Sequence, residues 1–166
     1  MRLTTGHRCD TIETSTGIPV ATHEQKSTMC RTETRLAAAE RLAYDSEGVR
    51  EQRLGAMIYR SGSLIGSGVN SRTNPGNLFA DGQHINKCSV HAEISAIRQS
   101  SYEKLQGADM YVARITWGFA TRSMAKPCGY CMPVIANSGI ARVYYTTAEG
   151  YAMINIRAER ALELVA

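Results

Sequence analysis

Two short motifs in this chain contain side chains that can bind a metal ion and transfer protons. The first supplies an imidazole, His91, and two residues later a carboxylate, Glu93. The second follows Pro127 and supplies the thiols of Cys128 and Cys131. One nitrogen and two sulfur ligands suit zinc, and three protein ligands leave the fourth tetrahedral position open, as in catalytic zinc sites. The sequence therefore predicts a zinc ion held by His91, Cys128 and Cys131.

The carboxylate of Glu93 distinguishes this set from a structural zinc site. Zinc lowers the pKa of a bound water to about 7, so a nucleophile becomes available at neutral pH. Glu93 is not needed as a ligand and can carry protons between that water and a substrate. The alternative is a closed zinc ribbon or finger, which would need Cys88 as its fourth ligand only three residues before His91. The two motifs together favour the catalytic zinc.

Length and composition are those of one folded domain outside the membrane. The chain has 166 residues, of which 43% are apolar and 20% charged, as is typical of globular proteins. No apolar stretch approaches the roughly 18 residues of a transmembrane helix, and the N-terminus lacks the apolar core of a signal peptide. Five cysteines, two of them assigned to the metal, form no disulfide pattern, so we expect a cytoplasmic location. The net charge of +4 suits a nucleotide phosphate or a polynucleotide, or simply a solvated surface.

Apolar periodicity divides the chain into an N-terminal arm and a domain of alternating strands and helices. Residues 1–30 show neither helical nor strand periodicity and are predicted to form an irregular arm, which leaves residues 31–166 for the domain. Helices are predicted over 32–44 (capped by Thr32), 90–99 (capped by Ser89), 128–137 and from 151 to the end. Strands are predicted over 54–60, 64–68, 109–115 and 140–146, and loops over 70–87 and 117–126.

This order predicts the layers of the fold. The first two strands form a hairpin, and the later strands are joined through helices, which implies parallel pairs with helices packed on the faces of the sheet. Pro127 suits the first turn of a helix and Gly139 its end. We therefore expect an α/β protein, a three-layer α/β/α sandwich with a central mixed sheet. Both motifs would lie at helix N-termini, where the partial positive charge favours the thiolate forms of Cys128 and Cys131.

Residues 36–147 resemble the cytidine and deoxycytidylate deaminase superfamily, which includes tRNA adenosine deaminases and nucleic-acid-editing cytosine deaminases. The segments that carry the resemblance are 64–70, 88–93, 127–131 and 138–145. The resemblance implies a cytidine-deaminase-like fold, zinc ligands His91, Cys128 and Cys131, and Glu93 as the proton shuttle.

Five further residues are candidates for substrate contacts. By resemblance, Ala92 offers its backbone N–H to the substrate, and Asn70 occupies the place of an asparagine that bonds the sugar or base. Arg72 and Arg122, in loops beside the motifs, are candidates for a phosphate contact, with surface solvation as the alternative for each. Trp117 either stacks on a base or anchors its loop to the core, and the second alternative is favoured.

These observations lead to a zinc-dependent hydrolytic deaminase that converts a cytosine ring to uracil, with a free pyrimidine nucleotide such as dCMP as the expected substrate. The alternative within the same chemistry is a deaminase acting on cytosine or adenine within single- or double-stranded DNA or RNA, supported by the basic charge and the aromatic-bearing loop. An alternative of another class is an inactive deaminase-like domain that binds a nucleotide, against which Glu93 argues. Assembly into a homo-oligomer is left open by the sequence.

Overall fold

A computed structural model of the protein describes residues 23–46, 52–71, 90–116 and 121–157. Six of the elements in these ranges are strands, which form one sheet in the order β2-β1-β3-β5-β6, with β4 paired to the carboxyl-terminal part of β3. The elements are α1 (His23–Asp45), β1 (Gln52–Arg60), β2 (Ser63–Val69), α2 (Ala92–Arg98), α3 (Tyr102–Leu105), β3 (Asp109–Thr116), β4 (Arg122–Ser123), α4 (Cys131–Ser138), β5 (Arg142–Thr147) and β6 (Gly150–Asn155).

The sheet is mixed. Strands β3 and β5 pair in parallel and are connected through α4, as the distance between parallel strand ends requires. The pairs β1–β2, β1–β3, β3–β4 and β5–β6 are antiparallel. The predicted three-layer α/β/α sandwich with a central mixed sheet is confirmed.

Helices cover the two faces of this sheet. Successive side chains of a strand point to opposite faces, so β3 sends Met110 and Val112 to one side and Tyr111 to the other. Helix α1 packs through Leu36 on the Tyr111 side, which we call the α1 face. Helices α2 and α4 cover the other side, which we call the α2/α4 face, and the larger apolar core lies there. None of the helices in the described ranges is both long and apolar enough to cross a membrane.

Glycines let a helix lie directly on each face. A Cβ at Gly68 would stand 2.4 Å from the backbone nitrogen of Ala96 and 2.6 Å from the carbonyl oxygen of Ala92, both in α2. On the opposite face, a Cβ at Gly55 would stand 2.3 Å from the carbonyl oxygen of Ala39 in α1. Because these contacts are with backbone atoms, a larger residue at either glycine would push the helix away.

The structure corrects several predicted boundaries. The helix predicted from Tyr151 is wrong over residues 151–155, which form β6: Ile154 and Ile156 are both buried and two residues apart, the spacing of a strand. Helix α1 begins at His23, within the residues assigned to the arm, so Thr32 is not its cap but a buried residue inside it. The short elements α3 and β4 were not predicted. Residues 1–22 and 158–166, and with them most of the arm and the end of the predicted last helix, lie outside the described residues.

Candidate active site

Three possible metal ligands come together at the N-termini of α2 and α4. The Nδ1 atom of His91 lies 3.5 Å from the Sγ atom of Cys128 and 3.3 Å from the Sγ atom of Cys131, and all three atoms lie within 4.8 Å of one another. Around a tetrahedral zinc, bonds of about 2.0–2.1 Å to nitrogen and 2.3 Å to sulfur would place these atoms about 3.5 Å apart. The donor types and their separations therefore fit a zinc ion.

Local backbone structure fixes each of these residues. His91 is the N-cap of α2, and its carbonyl accepts the Ser95 N–H at 3.0 Å. Just before it, Val90 forms a two-bond bridge with Ser71, which ties the start of α2 to the end of β2. The carbonyl of Cys128 accepts the N–H of Cys131 at 3.1 Å, a turn that leads into α4. Helix α2 thus begins one residue after His91, α4 begins at Cys131, and Gly139 ends α4 as predicted.

Glu93 lies in the first turn of α2, where the residue is 3% exposed. Burial raises the pKa of Glu93, and this effect outweighs its own backbone N–H, His91 and Cys131, which each lower that pKa. Its Oε2 atom has no hydrogen-bond partner among the described residues. A buried carboxyl group with a raised pKa and an unused oxygen is suited to accept and return a proton.

The Cys131 thiol differs from what its helix position predicts. Burial raises the pKa of Cys131, and the nearby Glu93 carboxylate and Cys128 thiol raise it further. These effects oppose the helix N-terminus that we expected to favour the thiolate. Two thiols and a carboxylate packed this closely repel one another when ionised, and a bound dication removes that repulsion. The electrostatics therefore also fit a cation at this position.

A pocket of about 220 Å³ opens beside the cluster. Its lining comprises Leu54, Asn70, His91, Ala92, Glu93, Arg114, Met124, Ala125, Lys126 and Cys128. On the side of the pocket formed by the sheet, Leu54 of β1 lies opposite Arg114 of β3. The Leu54 N–H also donates to the Oδ1 of Asn70, the residue after β2, at 2.9 Å. The predicted residues Asn70, Ala92 and Glu93 are thus brought together with the metal cluster.

Of the three remaining predicted contacts, the structure describes only Arg122, and it does not line this pocket. Arg122 of β4 is paired with Ile115, on the α1 face. There its guanidinium bonds the carboxylates of Glu40 and, at 3.2 Å, Glu33, both in α1. Arg72 and Trp117 lie outside the described residues. The predicted phosphate contact therefore finds no support at Arg122, because the hairpin register turns this side chain away from the pocket.

Two cations that sequence analysis did not single out line the pocket, Arg114 and Lys126. Strand periodicity predicts the face of Arg114, because it follows Met110 and Val112 at steps of two residues and must share their side of the sheet. What the sequence did not reveal is that this face is the one that carries both motifs.

The chain matches one protein family and is similar to several solved structures. Residues 29–147 match the family of the cytidine and deoxycytidylate deaminase zinc-binding region. The dCMP deaminase of the cyanophage S-TIM5 is 25% identical (TM-score 0.49), with 69% of this chain and 81% of that one covered. The RibD protein of Acinetobacter baumannii is 20% identical (TM-score 0.49; 71% and 28% covered), and the cytidine deaminase of Mycobacterium leprae is 21% identical (TM-score 0.44; 71% and 88% covered). No curated protein sequence matches the chain.

The family match spans more than two thirds of the chain and contains the whole His91, Cys128 and Cys131 cluster. The chain therefore belongs to the cytidine and deoxycytidylate deaminase family and is a zinc-dependent deaminase.

Proposed function

We propose that this protein hydrolyses the exocyclic C–N bond of a cytosine ring in a free cytidine or deoxycytidine nucleotide such as dCMP, giving a uracil ring and ammonia. The observation that carries the proposal is the buried Glu93 carboxylate, whose Oε2 has no partner among the described residues, at the wall of a pocket shared with the His91 and Cys128 ligand atoms. An inactive nucleotide-binding domain would have no use for such a group.

His91, Cys128 and Cys131 would hold the zinc ion. When bound, zinc supplies the Lewis acidity that makes water nucleophilic at neutral pH. His91 is fixed at the N-cap of α2 and Cys131 at the start of α4, so both helices contribute to one ligand set. Since these helices are packed on the same face of the sheet, the separation of their N-termini is set by the core beneath them.

Glu93 would move the protons of the reaction. A water molecule adds its oxygen to C4 of the ring while Glu93 takes one of its protons and delivers it to N3. Glu93 then carries the remaining proton of that water from the new C4 hydroxyl to the exocyclic nitrogen, and ammonia leaves as the C4–N bond breaks and the C4 carbonyl forms. One carboxylate can serve each transfer because it lies beside the ligand atoms with an oxygen free to accept a proton, and burial raises its pKa, which makes it a stronger base than an exposed glutamate.

Ala92 and Asn70 would orient the ring. Ala92 is the first residue of α2, and N–H groups in the first turn of a helix have no acceptor within the helix, so its N–H can bond a ring carbonyl. The Leu54 N–H holds Asn70 Oδ1 and so fixes the plane of the Asn70 amide at the pocket wall. We retain both residues as substrate contacts.

The pocket favours a small substrate. Its volume of about 220 Å³ lies below the roughly 300–1,000 Å³ of sites for drug-sized ligands. Arg122, a candidate for the phosphate contact, is bonded to α1, and Trp117, the candidate for base stacking, lies outside the described residues. The positive side chains that line the pocket instead suit a substrate with one phosphate.

The experiment that tests the proposal is a substrate panel. Zinc-loaded protein is incubated with dCMP, deoxycytidine, and single- and double-stranded oligonucleotides that contain cytosine or adenine, and uracil or hypoxanthine is scored by mass. We expect turnover of dCMP and none with Glu93→Gln. Deamination of an oligonucleotide without turnover of any mononucleotide would show that the substrate is a polynucleotide. If a zinc-loaded, folded protein deaminates none of these compounds, the proposed activity is wrong.

A further inference from the structure

Within the part of the chain that the structure describes, no ion pair explains the place of Arg114 in the pocket wall. It lies near the carboxyl end of β3, opposite Leu54 on β1 and Ser123 on β4. It shares the α2/α4 face with Met110 and Val112, both of which are completely buried in the apolar core. A permanently charged guanidinium on the same face as these apolar side chains is not explained by packing in the core.

Its hydrogen-bonding capacity is incompletely used. The Nε atom of Arg114 is buried and has no hydrogen-bond partner among the described residues. On the α1 face, by contrast, the guanidinium of Arg122 bonds two carboxylates. A buried donor without a partner costs free energy in the unliganded protein, which a ligand acceptor in the pocket can recover.

The charges around the pocket favour an anion. Lys126 lines it as well, so the described lining holds two permanent cations. The sole acidic side chain in that lining is Glu93, which is buried beside the metal ligands. An anionic ligand group at the Arg114 side would therefore meet positive charge at both cations.

The backbone that carries Arg114 is held firmly. Thr146 of β5 is completely buried, and its Oγ1 accepts the Arg114 N–H at 3.1 Å while donating to the Ser123 carbonyl at 2.7 Å. The Thr146 carbonyl accepts the Ala125 N–H at 2.9 Å, one residue before Lys126. One buried threonine thus fixes the backbone of the strand that bears Arg114 and of the segment that leads to Lys126, so both side chains start from fixed positions.

We propose that Arg114 is a specificity-determining residue that binds the 5′-phosphate of the nucleotide, so that the enzyme selects nucleoside monophosphates over nucleosides. This inference rests on the proposed function for the identity of the ligand. A guanidinium presents parallel N–H donors that match two phosphate oxygens, a geometry that lysine cannot reproduce.

The test uses the product, whose binding does not depend on turnover. Calorimetry measures the affinities of dUMP and deoxyuridine for the zinc-loaded protein and for three variants: Arg114→Gln, Arg114→Lys, and the control Arg98→Gln, which removes an exposed positive charge of α2 outside the pocket. We expect Arg114→Gln to weaken dUMP binding by about 10- to 100-fold, the range for a lost charged hydrogen bond, and to leave deoxyuridine binding nearly unchanged. Arg114→Lys should weaken dUMP binding less than Arg114→Gln does, and Arg98→Gln should not weaken it.

Several results would overturn the inference. They are equal affinity of the unmodified protein for dUMP and deoxyuridine, a preference for dUMP that survives Arg114→Gln, and an equal loss for both ligands. If Arg114→Gln does not fold, Arg114→Lys decides by the same criterion, because it keeps the charge and the aliphatic stem. A protein that prefers dUMP through Arg114 but does not deaminate dCMP would refute the proposed function alone. A protein that deaminates dCMP and deoxycytidine equally well, without a preference for dUMP, would refute the role of Arg114 alone.

Discussion

The two faces of the sheet hold their helices by different means. On the α2/α4 face the core consists of alanine and aliphatic side chains, including Ile58, Met110 and Ile135, all completely buried. On the α1 face, Tyr111 and Tyr144 stack at 4.9 Å between ring centres, and Tyr59 meets the edge of Tyr111 at 5.6 Å. The chemistry of the proposed site lies on the first face, and the second serves as its support.

The polar groups beneath α1 also differ from those in the pocket wall. On the α1 face Arg35 lies 4.4 Å from the centre of the Tyr59 ring and donates to the Tyr111 hydroxyl at 2.8 Å, and Arg122 bonds two glutamates of α1. On the α2/α4 face the Oε2 of Glu93 and the Nε of Arg114 are buried without a partner among the described residues. In the wall of a pocket, where a ligand can reach them, unsatisfied polar groups indicate where it binds, whereas polar groups that satisfy one another stabilise the fold.

The largest effect is expected from removing one carboxylate on the α2/α4 face, that of Glu93. Glu93→Gln should lower kcat for dCMP by at least about 10²–10⁴-fold, because proton transfer is lost while the shape of the side chain is kept. Zinc content and thermal unfolding should not change, since the ligand set is intact. The matched control is Glu40→Gln on the α1 face, which should retain activity. Near-normal turnover by Glu93→Gln, or an equal loss in both variants, would contradict the role of Glu93.

A second comparison adds one methyl group to each face. Gly68→Ala pushes against the backbone of α2, and Gly55→Ala pushes against the backbone of α1, so each should cost about 1–3 kcal/mol of the free energy of unfolding. Only Gly68→Ala should also weaken zinc binding and lower kcat, because α2 positions His91 and Glu93. Chemical denaturation, metal analysis and kinetics on the folded fraction measure these effects. Loss of zinc in Gly55→Ala alone would reverse the assignment of the faces.

A smaller effect is expected from the hydroxyl of Tyr111. Tyr111→Phe removes the acceptor for Arg35 but keeps the stacked ring, which should cost about 0.5–1.5 kcal/mol of stability. The exposed Tyr102 of α3 provides the control, since Tyr102→Phe should cost almost nothing. Neither variant should change KM for dCMP. A changed KM in Tyr111→Phe would show that the α1 face contributes to the site as well as to its support.

Much of the architecture could be predicted because local pattern and global fold agree. The alternation in β3 corresponds to a real buried face, and of the helical stripe through Leu36, Ala39, Leu42 and Ala43 all but the half-buried Leu42 are completely buried. The sequence does not distinguish the last strand from a helix, because Ile154 and Ile156 also fit one helical pattern with Ala161 and Leu162. Edge strands such as β6 carry few buried residues, so their periodicity is a weak signal.

The sequence predicts the metal ligands of the candidate site but not which arginines line its pocket. The residue types and spacing of His91, Cys128 and Cys131 were sufficient to predict that they converge, because the ligand set itself demands it. Arg114 and Arg122 could not be distinguished in the same way. They lie eight residues apart, on opposite arms of the β3–β4 hairpin, and only its register determines that they point to opposite faces.

The smallest effect is therefore expected at Arg122, and it sharpens the contrast with Arg114. Arg122→Gln breaks its bonds to Glu33 and Glu40, which are partly exposed, so it should cost about 0.2–1 kcal/mol of stability, and less at high salt because exposed charges are screened. It should leave KM for dCMP unchanged, whereas Arg114→Gln should raise it, although each variant removes one positive charge. Denaturation at low and high salt and steady-state kinetics on both variants measure this difference. An equal rise in KM in the two variants would mean that net charge, rather than the position of Arg114 in the pocket wall, attracts the nucleotide.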